Sequence, residues 1–521
     1  MPAEASEAAT PRIAQLPARA LSKAGILVLA ILTLALLVRI VAWAVDPDLW
    51  LDEAMLYQAL KDQATLLPWV PLGQYTQATP ILPALLWKAL IAAFGPNGLW
   101  LRLPALLASI AGFWALWATL RQRLGAGGAC AALLLAAFSA TAIVQAAQMK
   151  PYSFEFLASA LILYPAARFA AAPEDRRALI LFTALSLGAL AFTYTAPVVT
   201  AACALGLAAA LVASRRLDAR SLRRLAPYGL AWLVAGALWQ HFVVAPSTVL
   251  QFAGNARSYA WEFLVLTRPE TWHHIGRVLN VLDPALPIPR AAKIVTLFAV
   301  AAWAAGAALG WRRRVFEHGT CLGALASLAV LSFAGLYPFA EPRKMLFLLP
   351  LFALSFGAAI EDLVARARLG SRSSSFPAVV FLCALLLFPF ALQVAARSER
   401  EQVAELIDAV PPRTCPTVWS YYLAWPAVDI YKDRRPDIAF LGAIPTASSV
   451  PSWSWGVHDR FADYVGAFKQ LVDTHPGLCL LFAHTDGAVQ QQEKETLLAA
   501  AASHRCTGLI DTVGARLYRC N

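Results

Sequence analysis

The sequence LSKAGILVLAILTLALLVRIVAWAVDPDLWLDEA, residues 21–54, joins a long apolar segment to two adjacent carboxylates. An apolar run of this length matches the hydrocarbon core of a bilayer, which is about 30 Å thick. Asp52 and Glu53 follow just beyond the run, where ionisable side chains are costly near lipid and are not needed for packing. The pair is understandable if chemistry takes place at the outer mouth of a membrane-embedded site.

The composition excludes an ordinary soluble globular protein, because 59% of the residues are hydrophobic and only 14% are charged. The net charge of +11 does not indicate a nucleic-acid partner. Lys and Arg fall in short clusters between apolar runs, as cytoplasmic loops require. Segment 21–45 has no clear small-residue cleavage site before Asp46, so we expect a retained span and not a removed signal peptide.

The positions of the basic clusters predict the topology of an α-helical polytopic membrane protein. We expect a cytoplasmic tail over 1–20, a transmembrane domain over 21–395 with about 11–13 helices, and outer loops at 46–97 and 246–290. Segment 80–95 is apolar but short, and is either a buried half-helix or a thin span. The other spans are expected at 21–45, 99–120, 128–147, 152–170, 178–195, 197–213, 226–245, 292–310, 319–337, 344–362 and 376–395.

The sequence pattern of residues 396–521 predicts a small extracytoplasmic α/β domain, because short β-rich runs alternate with helical stretches. Strands are expected at 416–421, 437–442, 478–484 and 507–513, and helices at 399–410, 459–474 and 488–503. Four cysteines fall in this domain, which predicts two disulfides with three possible pairings. They are Cys415, Cys479, Cys506 and Cys520.

Two kinds of charged residue lie on the outer side. Asp52 and Glu53 supply carboxylates, and Lys150, Arg343 and Lys344 supply cations at the outer ends of spans. A carboxylate can take a proton from an attacking hydroxyl, and a cation can stabilise a departing phosphate. Simpler interpretations stand beside this one, since acidic residues favour a helix's first turn and a lysine can anchor at the interface. The basic pair 343–344 breaks the positive-inside pattern, which predicts a negative partner.

Several short motifs occur together in order. They are Leu49-Trp50-Leu51-Asp52-Glu53-Ala54, Gln77-Ala78-Thr79-Pro80, Leu101-Arg102-Leu103-Pro104, Lys150-Pro151-Tyr152-Ser153, and Tyr337-Pro338-Phe339 with Arg343-Lys344. In these motifs, residues 21–395 resemble glycosyltransferase family 39. This family belongs to the GT-C superfamily, with the protein O-mannosyltransferases and the lipid A aminoarabinose transferases.

The resemblance implies an inverting glycosyltransferase of the bacterial inner membrane with a periplasm-facing site. Its donor would be a polyprenyl-phosphate-linked sugar, its acceptor a periplasmic lipid, glycan or protein, and membrane lipids would surround it. The catalytic residue maps onto Asp52, with Glu53 supporting or replacing it. Lys150, Arg343 and Lys344 would bind the donor phosphate, while Gln77, Tyr152 and Tyr337 would line the substrate pocket.

One departure affects the donor site. The lipid A enzymes carry a lysine where this chain has Thr79, so Arg343 or Lys344 would have to replace its phosphate contact. No cofactor is certain and no metal ligand is assigned. A divalent cation held by Asp52 and Glu53 stays possible, although two adjacent carboxylates are too few to define a site.

Two alternative functions remain from the sequence. A transporter or flippase of a lipid-linked saccharide would also place charges at membrane mouths, but it would carry ionisable residues in the middle of several spans. A membrane-anchored binding module would act through the C-terminal domain and would tolerate loss of the outer carboxylates and cations.

Overall fold

The computed structural model describes residues 23–45, 48–67, 70, 72, 75, 77–247, 263–265, 270–339, 341–367, 376–397, 401–442 and 460–521. The predicted cytoplasmic tail over 1–20 lies outside these residues. Much of the expected outer loop 246–290 also lies outside them, although helix Glu270–Leu279 falls within that loop.

Nine helices in the described ranges are long and apolar enough to cross a membrane. Two shorter apolar helices, Ile81–Phe94 and Ala126–Ala137, accompany them. The polytopic helical fold is therefore confirmed. The nine are Lys23–Ala44, Gly98–Arg123, Tyr152–Ala171, Ala196–Ala213, Ala219–Trp239 with the π-helical turn Gln240–Val244, Pro289–Gly310, Val315–Phe333, Leu349–Arg366 with the preceding 3-10 helix Pro342–Leu348, and Phe376–Arg397.

The apolar segment 80–95 forms the 14-residue helix Ile81–Phe94. At 1.5 Å per residue it is about 21 Å long, which is shorter than the hydrocarbon core. It ends at Gly95, whose φ of 60° favours glycine. Lys88 is tied to the preceding segment, since its Nζ donates to Leu60 O at 2.9 Å. These features match the half-helix of the two predicted alternatives.

The expected uninterrupted span 128–147 was wrong. The helix stops at Ala137, and a separate turn of helix covers Ala140–Gln145. Between them, Ser139 Oγ accepts from the amide of Ala142 and donates to Val281 O at 2.8 Å. Pairing of this backbone with the chain near Val281 replaces the missing helical hydrogen bonds, and an alanine-rich sequence gives no sign of the break.

Small residues allow close contact between spans. A Cβ added at Gly128 would lie 2.6 Å from Gly357 O, and one at Gly357 would lie 2.6 Å from Gly128 O. Helices Ala126–Ala137 and Leu349–Arg366 therefore pack backbone to backbone, as small-residue contacts in membranes do.

The C-terminal residues form a five-stranded mixed sheet with helices against it. The strand order is β2-β1-β3-β5-β4, where β1 is parallel to both β2 and β3, and β5 is antiparallel to β3 and β4. The predicted α/β domain is confirmed, although the last strand was not expected. The strands are β1 Thr417–Ser420, β2 Ala439–Leu441, β3 Cys479–Ala483, β4 Thr507–Thr512 and β5 Ala515–Arg519; the helices are Val403–Ala409, Trp425–Tyr431, Phe461–Thr474 and Ala488–Ala500.

The four cysteines of this domain form two disulfides, as predicted. Cys415 pairs with Cys479 and fixes the start of β3 to the residues before β1. Cys506 pairs with Cys520 and joins the segments that flank the β4–β5 hairpin. Of the three possible pairings, the structure therefore has the one in which each disulfide joins the ends of two neighbouring strands, β1 with β3 and β4 with β5.

Helix Leu51–Asp62, which follows the first span, shares a hydrophobic core with the C-terminal domain. Leu56 and Leu60 are buried in one apolar cluster with Leu406 and Val428. The helix thus lies between the spans and the domain, and both sides determine its position.

Candidate active site

Adjacent residues in helix Leu51–Asp62 point in different directions, because successive side chains of an α-helix are about 100° apart. Asp52 is partly exposed and lines a cavity. Glu53 is fully buried on the opposite side. The structure therefore separates the two carboxylates that the sequence places together.

The carboxylate of Glu53 is fully engaged. Arg102 donates to it through Nε at 3.0 Å and Nη2 at 2.6 Å, and the amide of Met149 donates at 2.6 Å. The buried, bidentate pair joins helix Leu51–Asp62 to span Gly98–Arg123, and the contact with Met149 joins the helix to the residue before Lys150. Glu53 does not line the cavity, and its contacts are those of a structural residue.

The cavity has a volume of about 210 Å³ and lies at the ends of several spans. Seven of the eight residues that the sequence assigned to a site line it, all except Glu53. They are Asp52, Gln77, Lys150, Tyr152, Tyr337, Arg343 and Lys344. Residues far apart in the sequence thus form one mixed-charge surface.

The carboxylate of Asp52 faces a guanidinium. Arg343 Nη1 lies 2.8 Å from Asp52 Oδ2, and Arg343 Nε lies 2.9 Å from Glu341 Oε2. Lys344 Nζ lies 3.5 Å from the same Glu341 oxygen. The basic pair 343–344, for which the sequence predicted a negative partner, therefore has two, Asp52 and Glu341.

The basic neighbours control the ionisation of Asp52. Burial by itself would raise the pKa of this carboxyl, but Lys150, Arg343 and His484 together hold the pKa below its usual value. Asp52 is therefore ionised at neutral pH. The pKa of Glu341 is also lowered, because Arg343 and Lys344 outweigh the effect of its burial.

The remaining predicted residues are held by specific contacts. Lys150 Nζ donates to Gln77 Oε1 at 2.8 Å, which links two motifs that are distant in the sequence. Tyr337 Oη donates to Lys344 O at 2.9 Å and stabilises the turn that carries the basic pair. Tyr152 lines the cavity at the start of span Tyr152–Ala171.

Three residues that sequence reasoning missed also belong to this region. Glu155 and Tyr194 line the cavity, and Glu341 pairs with its cations. Glu155 is 3% exposed, and its Oε2 has no hydrogen-bond partner among the described residues. An ionisable residue at the start of an apolar span was the signal for Glu155. For Glu341, the signal was its position two residues before a basic pair that needed a partner.

The C-terminal domain also holds helix Leu51–Asp62 in place, through hydrogen bonds. Leu49 N donates to Tyr431 Oη at 2.9 Å, and Leu51 N donates to Glu401 Oε2 at 3.0 Å. Further along, Gln58 Nε2 donates to Pro426 O at 2.8 Å. The segment that presents Asp52 is therefore fixed between the membrane domain and the sheet domain.

The geometry does not support the cation site that the sequence left possible at positions 52 and 53. Asp52 is paired with Arg343, whereas Glu53 is paired with Arg102, so the two carboxylates do not converge. Within the described part of the chain, no three His, Cys, Asp or Glu side chains group as metal ligands.

Comparison with known proteins agrees with the fold and with the motifs. Residues 78–241 match the family of dolichyl-phosphate-mannose-protein mannosyltransferases. A crystal structure of ArnT from Cupriavidus metallidurans bound to undecaprenyl phosphate superposes with a TM-score of 0.57 at 13% identity, over 96% of this chain and 98% of that one. The chain therefore has the same overall fold as this structure.

Two other solved structures have the same overall fold. ArnT of the same organism in the apo state matches with a TM-score of 0.51 at 14% identity, over 96% and 98% of the two chains. The oligosaccharyltransferase of Archaeoglobus fulgidus in complex with Zn and sulfate matches with a TM-score of 0.50 at 11% identity, over 87% of this chain and 68% of that one. No curated protein matches this chain in sequence.

Proposed function

We propose that this protein is an inverting glycosyltransferase of the GT-C superfamily, which moves a sugar from a polyprenyl-phosphate donor to an acceptor hydroxyl on the periplasmic side of the inner membrane. The observation that carries the proposal is the cavity in which the carboxylate of Asp52 lies among three cations, Lys150, Arg343 and Lys344. A base and a phosphate site within one cavity are what a single displacement at the anomeric carbon requires.

Asp52 acts as the base on the acceptor side. The acceptor oxygen attacks the anomeric carbon from the face opposite the phosphate, and its proton passes to Asp52. The bond from the anomeric carbon to the phosphate oxygen breaks, and its electron pair leaves with the polyprenyl phosphate. Because one displacement occurs, the configuration is inverted.

The cations receive the negative charge that develops on the leaving phosphate. Arg343 offers a planar fork of donors that suits phosphate oxygens, and Lys344 and Lys150 add point charges. Thr79 is buried and is not among the residues that line the cavity, so the pair 343–344 replaces a phosphate contact from the family's lysine position.

Donor binding and base activation are coupled through Arg343. In the structure Arg343 neutralises Asp52, which keeps this carboxylate a weak base. A donor phosphate that takes donors of Arg343 weakens its contact with Asp52, and the basicity of Asp52 rises. The base is thus activated only when the donor is present.

Glu155 recognises the donor sugar. Its buried carboxyl lines the cavity and has an oxygen without a partner in the described structure. An unsatisfied buried polar atom costs stability, about 1–3 kcal/mol, which a hydroxyl or amino group of the sugar would recover. Tyr152 and Tyr194 lie beside it in the lining and offer rings against which a pyranose can pack.

The experiment is transfer from a panel of radiolabelled polyprenyl-phosphate sugars in membranes that contain the wild-type chain, with a donor-binding assay on the same samples. Transfer from one donor, with inverted configuration in the product, supports the proposal. If no donor binds, the transferase function is wrong and the C-terminal domain becomes the candidate for binding. If a donor binds and its transport across vesicles is found without transfer, the protein is a flippase.

A further inference from the structure

Glu401 of the C-terminal domain contacts the first turn of the helix that carries Asp52. One of its oxygens accepts from Leu51 N at 3.0 Å, and the other lies 2.5 Å from His484 Nδ1. Glu401 is 7% exposed, so the three groups form a fixed chain from the sheet domain to the residue before Asp52.

His484 has two further structural features. Its ring stacks on Trp50 with centroids 6.2 Å apart, and Trp50 precedes Leu51 in the same turn. Its backbone has a φ of 58°, a left-handed conformation that costs energy for a residue other than glycine. This conformation lies directly after β3 ends at Ala483.

The electrostatic effect of His484 reaches the active site. Besides Lys150 and Arg343, it is the residue that lowers the pKa of Asp52, and it is the only one of the three that the sheet domain supplies. A comparable His–carboxylate pair in the same domain, His504 with Asp473, has Nε2 2.7 Å from Oδ1.

We propose that His484 and Glu401 are positioning residues for Asp52: Glu401 binds the amide of Leu51, His484 orients Glu401 and packs on Trp50, and together they aim the Asp52 carboxylate into the cavity. The C-terminal domain is then a part of the active site and not only a neighbouring module. This inference rests on the proposed transfer reaction for its kinetic consequence, but not for its structural one.

The structural consequence is tested by hydrogen exchange in the full-length protein, on peptides that cover residues 49–57. Glu401→Leu removes the acceptor for the Leu51 amide, and His484→Asn removes the imidazole while keeping a residue that tolerates the left-handed backbone. Protection of the first turn should fall about tenfold in both variants, as expected for loss of one hydrogen bond of about 1.4 kcal/mol. His504→Asn is the matched control and should leave this protection unchanged.

The kinetic consequence is tested on the same three variants with the donor found active for the wild-type chain. A displacement of about 1 Å at a reacting group costs up to about a hundredfold in rate. His484→Asn and Glu401→Leu should therefore lower kcat by about tenfold to a hundredfold, with the donor KM and the Tm close to those of His504→Asn.

Wild-type protection of residues 49–57 in both variants would overturn the proposal, whatever the activity. So would a loss of kcat with an equal loss of donor binding and Tm, since that pattern belongs to general destabilisation. If the wild-type chain transfers no sugar, the proposed function fails by itself, and hydrogen exchange alone decides the positioning role.

Discussion

Arg343 Nη1 lies 2.8 Å from Asp52 Oδ2, although 291 positions separate the two residues in the sequence. This ion pair joins helix Leu51–Asp62, which follows the first span, to the 3-10 helix Pro342–Leu348, which precedes span Leu349–Arg366. It places the proposed base and the proposed phosphate-binding group in direct contact. Each of the two residues therefore influences the charge of the other before any substrate arrives.

Removal of Arg343 should weaken donor binding more than any other single change at the phosphate site. A hydrogen bond to a charged group contributes about 1.5–3 kcal/mol, so the Kd of Arg343→Gln for the polyprenyl-phosphate sugar should rise roughly tenfold to a hundredfold. Arg290→Gln, in the first turn of another span and away from the cavity, is the matched control. Unchanged donor affinity in Arg343→Gln contradicts the phosphate assignment.

Glu155 should show opposite effects on activity and stability. Glu155→Leu removes a buried carboxyl oxygen without a described partner, so the Tm should stay equal or rise. The donor KM should rise about tenfold, because the sugar loses its hydrogen-bond partner. Thermal unfolding and transfer kinetics on the same preparation measure both effects. A large fall in Tm would show that Glu155 is structural.

Arg102 should be required for stability and not for the reaction itself. Arg102→Met leaves Glu53 buried without its cation, and loss of one partner of a buried pair costs about 3–5 kcal/mol. Arg224→Met disrupts an exposed pair, in which the side chain of Glu174 is 93% exposed, and should cost at most about 1 kcal/mol. Denaturant unfolding in detergent compares the two. Equal costs would mean that the pair of Glu53 and Arg102 is not a structural link.

The ion pairs around Arg343 should make stability depend on pH in the acid range. The folded protein lowers the pKa of Asp52 and of Glu341, so their contribution to stability is present above their unfolded values of about 3.9 and 4.3. That contribution is lost as the pH falls below those values towards the folded pKa. The Tm of Asp52→Asn should therefore fall less between pH 5 and pH 3 than that of the wild type, whereas Glu174→Gln should follow the wild type. Parallel curves for Asp52→Asn and the wild type would contradict the lowered pKa.

The fold and most of the cavity could be predicted from the sequence, because apolar runs, basic loops and short motifs are local signals. Asp52, Lys150 and Arg343 each follow or precede an apolar run, so the charge pattern predicted that they lie at the same ends of the spans. The opposite orientations of Asp52 and Glu53 could not be predicted from adjacency alone, since the choice depends on Arg102 and on the C-terminal domain. Glu401 and His484 had no local signal at all, because their role comes from the packing of a separate domain against one helical turn.

The most direct test of the central claim is a comparison of wild-type protein with Asp52→Asn in transfer from the active polyprenyl-phosphate sugar, with donor binding measured in parallel. Loss of a general base lowers the rate by about 10²–10⁴-fold, so transfer should fall by that factor while donor affinity is retained or rises. Asparagine keeps the size of the side chain and removes the charge that Arg343 neutralises. Transfer at the wild-type rate by Asp52→Asn would contradict the assignment of this carboxylate as the base.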